Sequence, residues 1–189
     1  MPATMPTVRL TELPAIEAAA WRELAASVHD KDHAWRVAVL ATQGEAGADA
    51  RSVMLREVDA GARTLVFFSD ARSAKVRQIE VQPAGTMVLW SAALAWQLRL
   101  AVELEVVRSG LAVSSRWATL KMTPAAQDYL SPLPPGSTLA EPHPLPERGT
   151  REHFAVIKAR VLRLDWLELH AQGHRRALFD AQGPRWVVP

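Results

Sequence analysis

Residues 94–107, LAWQLRLAVELEVV, hold a two-residue period over the length of the stretch. Leu98, Leu100, Val102, Leu104 and Val106 fall on one side; Gln97, Arg99, Glu103 and Glu105 fall on the other. A helix would scatter these residues around its axis, whereas a strand sorts them into an apolar and a polar face. A strand this long needs partners along both edges and a core under one face, so it commits the chain to an extended antiparallel sheet.

The same period recurs upstream. AWRVAVLAT (34–42), DARSVMLREV (49–58) and RTLVFFS (63–69) are separated by the short segments QGEAG and DAGA, which predicts a meander. GTMVLWS (85–91) and HFAVIKARVLRLDWLEL (153–169) are two further strands, followed by a turn at Gln172-Gly173, then RRALFD (175–180) and a final WVV. Helical spacing occurs in three places. Ile16, Ala20, Leu24 and Val28 line one face of 11–30, with Thr11 as the cap; a short helix follows residue 73 and ends near Gln82-Pro83; residues 112–130 read as the third helix. Residues 131–149 hold six of the thirteen prolines and can be neither helix nor central strand. The expectation is a mainly β (α+β) chain: a single domain over 1–189, a closed or nearly closed antiparallel barrel with flanking helices.

Several function classes fall away on composition. Zero cysteines excludes disulfides, thiolate catalysis and thiolate metal sites, and agrees with a cytoplasmic protein. Twenty-two basic against twenty acidic residues leave little field for nucleic acid. No apolar run approaches the roughly 18 residues of a membrane helix, and the N-terminus has no export signal. His29 and His33 flank an Asp-Lys-Asp break rather than presenting a metal-binding spacing.

Positive charge is placed oddly in VFFSDARSAKVRQIE. A helix N-terminus carries roughly half a positive charge and favours acidic residues, yet Arg72, Lys75 and Arg77 crowd this one. If Ser73 or Asp70 caps the helix, its N–H groups, the hydroxyls of Ser69 and Ser73 and the cations converge on one place suited to a phosphate. A solvated basic helix is the other reading. In RSVMLRE, Arg51 heads a row that continues as Val53 and Leu55, while Ser52, Met54 and Arg56 face the other way. Arg51 therefore either reaches solvent at the strand end or needs an anion, because an unpaired buried charge is costly. Trp90, Trp96 and Trp117 stand beside polar positions where they could line a pocket for a planar ligand.

In order along the chain, RSVMLREVD, VFFSDARSAKVRQIE, LWSAALAWQLRLAVELE and a C-terminal HRRALFD resemble the pyridoxamine 5′-phosphate oxidase superfamily of FMN-binding split β-barrels, over roughly residues 34 to 189. RWATLKMTPAAQDYLSPLPPG is similar to the bacterial oxidase-like FMN-binding branch. The resemblance implies FMN as cofactor, held along Arg51, Ser52, Val53, Met54 and Leu55, with Arg51 on the phosphate. It assigns Phe68, Ser69, Ser73 and Lys75 to the phosphate and ribityl chain and Gln97 to the edge of the flavin ring. It also implies a homodimer with FMN between the subunits, the 131–137 loop reaching the partner's cofactor, and flavin redox chemistry on a small substrate. For a phosphorylated substrate the cation set is Arg56 with Arg175 or Arg176. The sequence departs from the oxidase itself at Arg56, where that enzyme has Lys, at Ala74, where it has a basic residue, and at HRRALF, which lacks its substrate His. A non-catalytic carrier or sensor of FMN, haem or a deazaflavin is the alternative that these departures keep open.

Overall fold

The computed structural model describes residues 9–139 and 153–189. Eight strands form one antiparallel sheet: β1 (Val37–Gly44), β2 (Gly47–Asp59), β3 (Thr64–Asp70), β4 (Ala84–Ser91), β5 (Trp96–Val107), β6 (Phe154–Glu168), β7 (Arg175–Phe179) and β8 (Arg185–Val187). Their order is β3-β2-β1-β4-β5-β6-β7-β8, and a further pairing of β3 with β6 closes the first six into a barrel. β6 makes this possible by dividing one edge. Its first half, Phe154 to Arg160, pairs with β3, while Leu164 to Glu168 pair with β7. Between the halves the β5–β6 register shifts and Leu162 is left exposed, a bulge of the kind that turns a strand at a barrel corner.

The period-two reading of β5 holds: Leu98, Leu100, Val102 and Leu104 are buried inside the barrel with Leu40, Val53, Leu55, Phe67, Met87, Ile157 and Leu164. Helices stop the two ends. α1 (Leu13–Ser27) buries Ile16, Ala20, Trp21 and Leu24 in that core at the end of the β2–β3 turn, where Arg63 pairs with Glu17. α2 (Ala74–Val81) inserts Val76 and Ile79 at the other end, close to the β1–β2 turn. A second, smaller core lies outside the barrel. α3 (Leu111–Leu120) contributes Val113 and Leu120, and a 3-10 turn over Pro124–Tyr129 contributes Tyr129, both packing on Val66, Phe154 and Val156. Residues 154 to 157 are therefore covered on both faces.

Some expected boundaries move. α1 is capped by Glu12 without a side-chain bond, and Thr11 makes a long contact to Glu12 instead, so Thr11 is not the cap. Residues 112–130 are not one helix. Pro124 supplies no N–H and pushes Thr123 into extended backbone, so α3 stops at Leu120 and the chain resumes as a 3-10 turn. Residues 34–36, expected as strand, form a 3-10 turn before β1. Of the Pro-rich stretch, 131–139 is irregular, and 140–149 lies outside the described residues.

Candidate functional site

Ser73 is the N-cap of α2, but its hydroxyl does not cap the helix. Instead Ser69 Oγ and Ser73 Oγ lie 3.0 Å apart, and Lys75 Nζ donates to both, at 3.0 and 3.3 Å. Ser69 and Ser73 are buried. The first helical N–H groups, those of Ala74 and Lys75, have no partner within the helix. The Lys75 ammonium is held below its ordinary value of 10.5, first by burial and next by the Arg51 charge, with Asp70 and Asp49 pulling the other way. Burial and a like charge in reach both disfavour the charged ammonium.

Arg51 stands on the same barrel end. Its cross-strand partner is Leu40, so it continues the inward row of Val53 and Leu55, and its side chain is mostly buried under α2. There it donates through Nη1 to Leu40 O and Thr42 Oγ1 (3.3 and 2.5 Å) and through Nη2 to Gln78 Oε1 (2.9 Å), and it pairs with Asp49 Oδ2 at 2.6 Å. Thr42 donates in turn to Gln78 Oε1, and Gln78 Nε2 donates to Asp49, whose carboxyl is held below its usual 3.8 first by that bond. Thr42, Gln78 and Asp49 are site residues that sequence reading missed. Asp49 was findable, because it stands two residues before Arg51 on the same row of the strand.

Arg72 and Arg77 sit apart from this cluster. Arg72 pairs with Asp70 and donates to the carbonyls of Ser131, Pro132 and Leu133, while Arg77 donates to Arg72 O. Of the basic residues around α2, Lys75 alone points to the two serines.

Arg56 bulges from β2 where its register with β3 shifts, and its guanidinium stands 5.7 Å from the centre of the Phe68 ring. Close by is the buried Tyr129 hydroxyl, whose titration burial pushes upward and the Arg56 charge draws back. Phe68, Trp117, Tyr129 and Phe154 form one aromatic group. Beside it, a cleft of about 470 Å³ runs between Phe68, Leu120, Ser115 and Thr119, with the Arg116–Glu57 ion pair at its wall.

The remaining candidates lie elsewhere in the chain. Gln97 is on the outer face of β5, opposite Trp90 and Leu167. The row through Arg51 crosses β5 at Leu100, three residues away and facing inward, so one chain does not bring Gln97 to Lys75. Ser52 and Met54 share that outer face with Val37, Val39 and Trp90, the last three being large apolar residues left exposed. Arg175 and Arg176, expected to join Arg56, are engaged by carboxylates on β6: Arg175 with Glu168, and Arg176 with the buried Asp165 at 2.7–2.9 Å. Within one chain they do not meet Arg56. Trp96 packs edge-on against Trp166. Among the described residues no three His, Asp or Glu are grouped to hold a metal, and no helix is long and apolar enough to cross a membrane.

Residues 18–108 match the family model described as pyridoxamine 5′-phosphate oxidase, FMN-binding domain. Among solved structures, a pyridoxamine 5′-phosphate oxidase-related, FMN binding protein from Nostoc punctiforme aligns over 95% of this chain and 100% of its own, with a TM-score of 0.71 and 23% identity. PhzG from Burkholderia lata, solved with tetrahydrophenazine-1-carboxylic acid, aligns over 98% and 96% at a TM-score of 0.68 and 14% identity. A heme binding protein from Mycobacterium smegmatis aligns over 93% of this chain and 60% of its own at 0.55 and 20%. At these identities the likeness is one of fold. No curated protein matches the chain.

Proposed function

Residues 18–108 carry the pyridoxamine 5′-phosphate oxidase FMN-binding domain within a split barrel, and from that premise we propose that the protein is an FMN-dependent oxidoreductase acting on a small substrate. The observation that carries the reading is the cluster of Lys75, Ser69 and Ser73 at the start of α2, with Arg51 bonded to Gln78 on the next turn of the same helix and its charge felt at Lys75. This donor set fits a phosphate monoester: one ammonium, one guanidinium, two hydroxyls and unpaired helix N–H groups, set where an ammonium is already costly to keep charged. Bound FMN would supply the hydride-accepting step.

The chain's own residues would do the rest. Lys75 and Arg51 neutralise the phosphate, and the serine hydroxyls fix its orientation. Gln97 bonds the flavin edge from a second copy of the chain, since its own copy turns it outward; the homodimer is part of the proposal, and the exposed Val37, Val39 and Trp90 on the same face support it. Arg56, set over the Phe68 ring, offers a cation to an anionic or phosphorylated substrate beside the cleft at Phe68. Pyridoxamine or pyridoxine 5′-phosphate is the named substrate to test first. One observation favours a second reading, a cofactor carrier or sensor without turnover: Arg175 and Arg176 are already engaged by Glu168 and Asp165.

The purified protein should be yellow and release FMN on denaturation. Removing both cations in Arg51→Ala with Lys75→Ala deletes two charge-assisted contacts worth ~1.5–3 kcal/mol each, so FMN affinity should fall by about 10² to 10⁴ while the barrel stays folded. A colourless protein that FMN neither binds nor stabilises would sink the oxidoreductase and the flavin carrier together. Peroxide release on the two vitamer phosphates then separates turnover from carriage.

A further inference from the structure

We propose that Asp49 is a built-in competitor for the cofactor phosphate: it occupies Arg51 and sets how tightly phosphorylated flavins are held. The inference rests on the reading that Arg51 and Lys75 receive a phosphate.

Arg51 has five N–H donors; its Nη atoms donate to Leu40 O, Thr42 Oγ1 and Gln78 Oε1, and Nη2 is also ion-paired with Asp49 Oδ2, so four contacts surround them. A phosphate seated at Lys75 that takes a bidentate grip on this guanidinium must replace some of those contacts. Three of the four belong to the frame. Leu40 O is strand backbone, Thr42 is buried, and Gln78 holds Thr42 and Asp49 at once from inside α2. Asp49 is the exchangeable one. Its side chain is 46% exposed against 18% for Arg51, so on release it turns to water. It is also the one anion of the four, and leaving it beside an arriving dianion sets like charges together. Phosphate for carboxylate on the same guanidinium is a swap of matched chemistry.

The charge count points the same way. Arg51 and Lys75 together bring two positive charges, and Asp49 removes one of them from the field a phosphate meets. The lowered titration of Lys75 is drawn back first by Asp70, which Arg72 already pairs, and then by Asp49, the carboxylate in direct contact with Arg51. FMN is therefore bound against a resident anion, whereas riboflavin, which has no phosphate, does not compete with it.

The test is a titration of FMN and of riboflavin by quenching of flavin fluorescence, on the wild-type protein and on Asp49→Asn, which keeps an acceptor for Gln78 and removes the charge. The expected result is FMN binding about 2- to 5-fold tighter in the variant, the scale of one half-exposed charge pair, with riboflavin unchanged. Asp49→Ser carries the same expectation if the Asn variant does not fold. Equal or weaker FMN binding in a variant of a protein that does bind FMN overturns the proposal alone, as does equal tightening of FMN and riboflavin. Absence of FMN binding in wild type and variants overturns this proposal together with the function on which it rests.

Discussion

Lys75 is the residue at which charge, burial and ligand chemistry bear hardest on one atom. Desolvation is the leading cause of its lowered titration, and the Arg51 charge adds to it. A lysine depressed in the folded chain keeps fewer protons than in the unfolded one, so this site costs stability at neutral pH, and that cost is relieved as pH rises from the lowered value towards 10.5. A phosphate at Nζ works in the other direction, since it favours the charged ammonium. FMN affinity should thus be highest where Lys75 is protonated and weaken as pH rises through its depressed value, approaching tenfold per pH unit beyond it. Riboflavin should show no matching slope. Fluorescence titrations across that range check this, and a flat FMN profile would remove Lys75 from the contact set. Ser69, Ser73 and Lys75 were legible as a group because four- and two-residue spacings across one strand-to-helix join leave little freedom in where they point. Arg175 and Arg176 were not. Their partners Glu168 and Asp165 stand seven and eleven residues upstream on β6, and only the β6–β7 register decides that a cation so placed is spent on a carboxylate.

At the scale of elements, the join before α2 has a second use that composition did not disclose. Arg72 neutralises the buried Asp70 and spreads its donors over the carbonyls of three consecutive residues, Ser131 to Leu133, tying the Pro-rich segment to the start of the helix. Arg72→Ala leaves Asp70 with the backbone N–H of residue 72 and without its ion-pair partner, at a cost of about 2–3 kcal/mol in a denaturant melt. It should also open the chain to chymotrypsin after Tyr129 and Leu130. Arg72→Lys keeps the charge but cannot span the carbonyls, so it should recover stability better than protease resistance. The β7–β8 turn offers a cleaner titration. Arg185 holds the Asp180 carboxyl down to about 2, so the turn gains stability above the ordinary 3.8 and loses it as pH falls towards 2. Carboxyl NMR should find Asp180 moved up from about 2 towards 3.8 in Arg185→Ala, with the Gln182 N–H still drawing it down. Strands and helices were largely readable from their periods. The break in 112–130 was also written in the chain, at Pro124, and was passed over because apolar spacing continued beyond it. The bulge that frees Arg56 had no such mark, because it arises from pairing between β2 and β3.

Closure belongs to the whole molecule, and no local pattern announces it: β3 and the first half of β6, far apart in the chain, meet along seven residue pairs and turn an open sheet into a barrel. Closing the barrel fixes which strand faces have no covering element. α1 and α2 stop the ends and α3 covers β3 and β6, but the outer face of β1, β2 and β4 keeps Val37, Val39, Met54 and Trp90 exposed. Val37 stands opposite Met54, Val39 opposite Val88, and Trp90 opposite Gln97, so the patch is continuous and ends at the glutamine assigned to the flavin edge. An apolar sheet face of this kind costs free energy in water unless a partner covers it, and a stable contact needs about 1,200 Å² or more in total. If a second copy is that partner, assembly and cofactor binding are linked through one surface. Val39→Glu should then shift sedimentation from dimer to monomer, by placing a charge in the middle of the patch, and should weaken FMN binding although Val39 lies off the phosphate cluster. Raising protein concentration should restore both together, because mass action ties the two equilibria. A variant that becomes monomeric yet holds FMN as tightly as wild type would show that one chain completes the site, and Gln97 would then have no place in it.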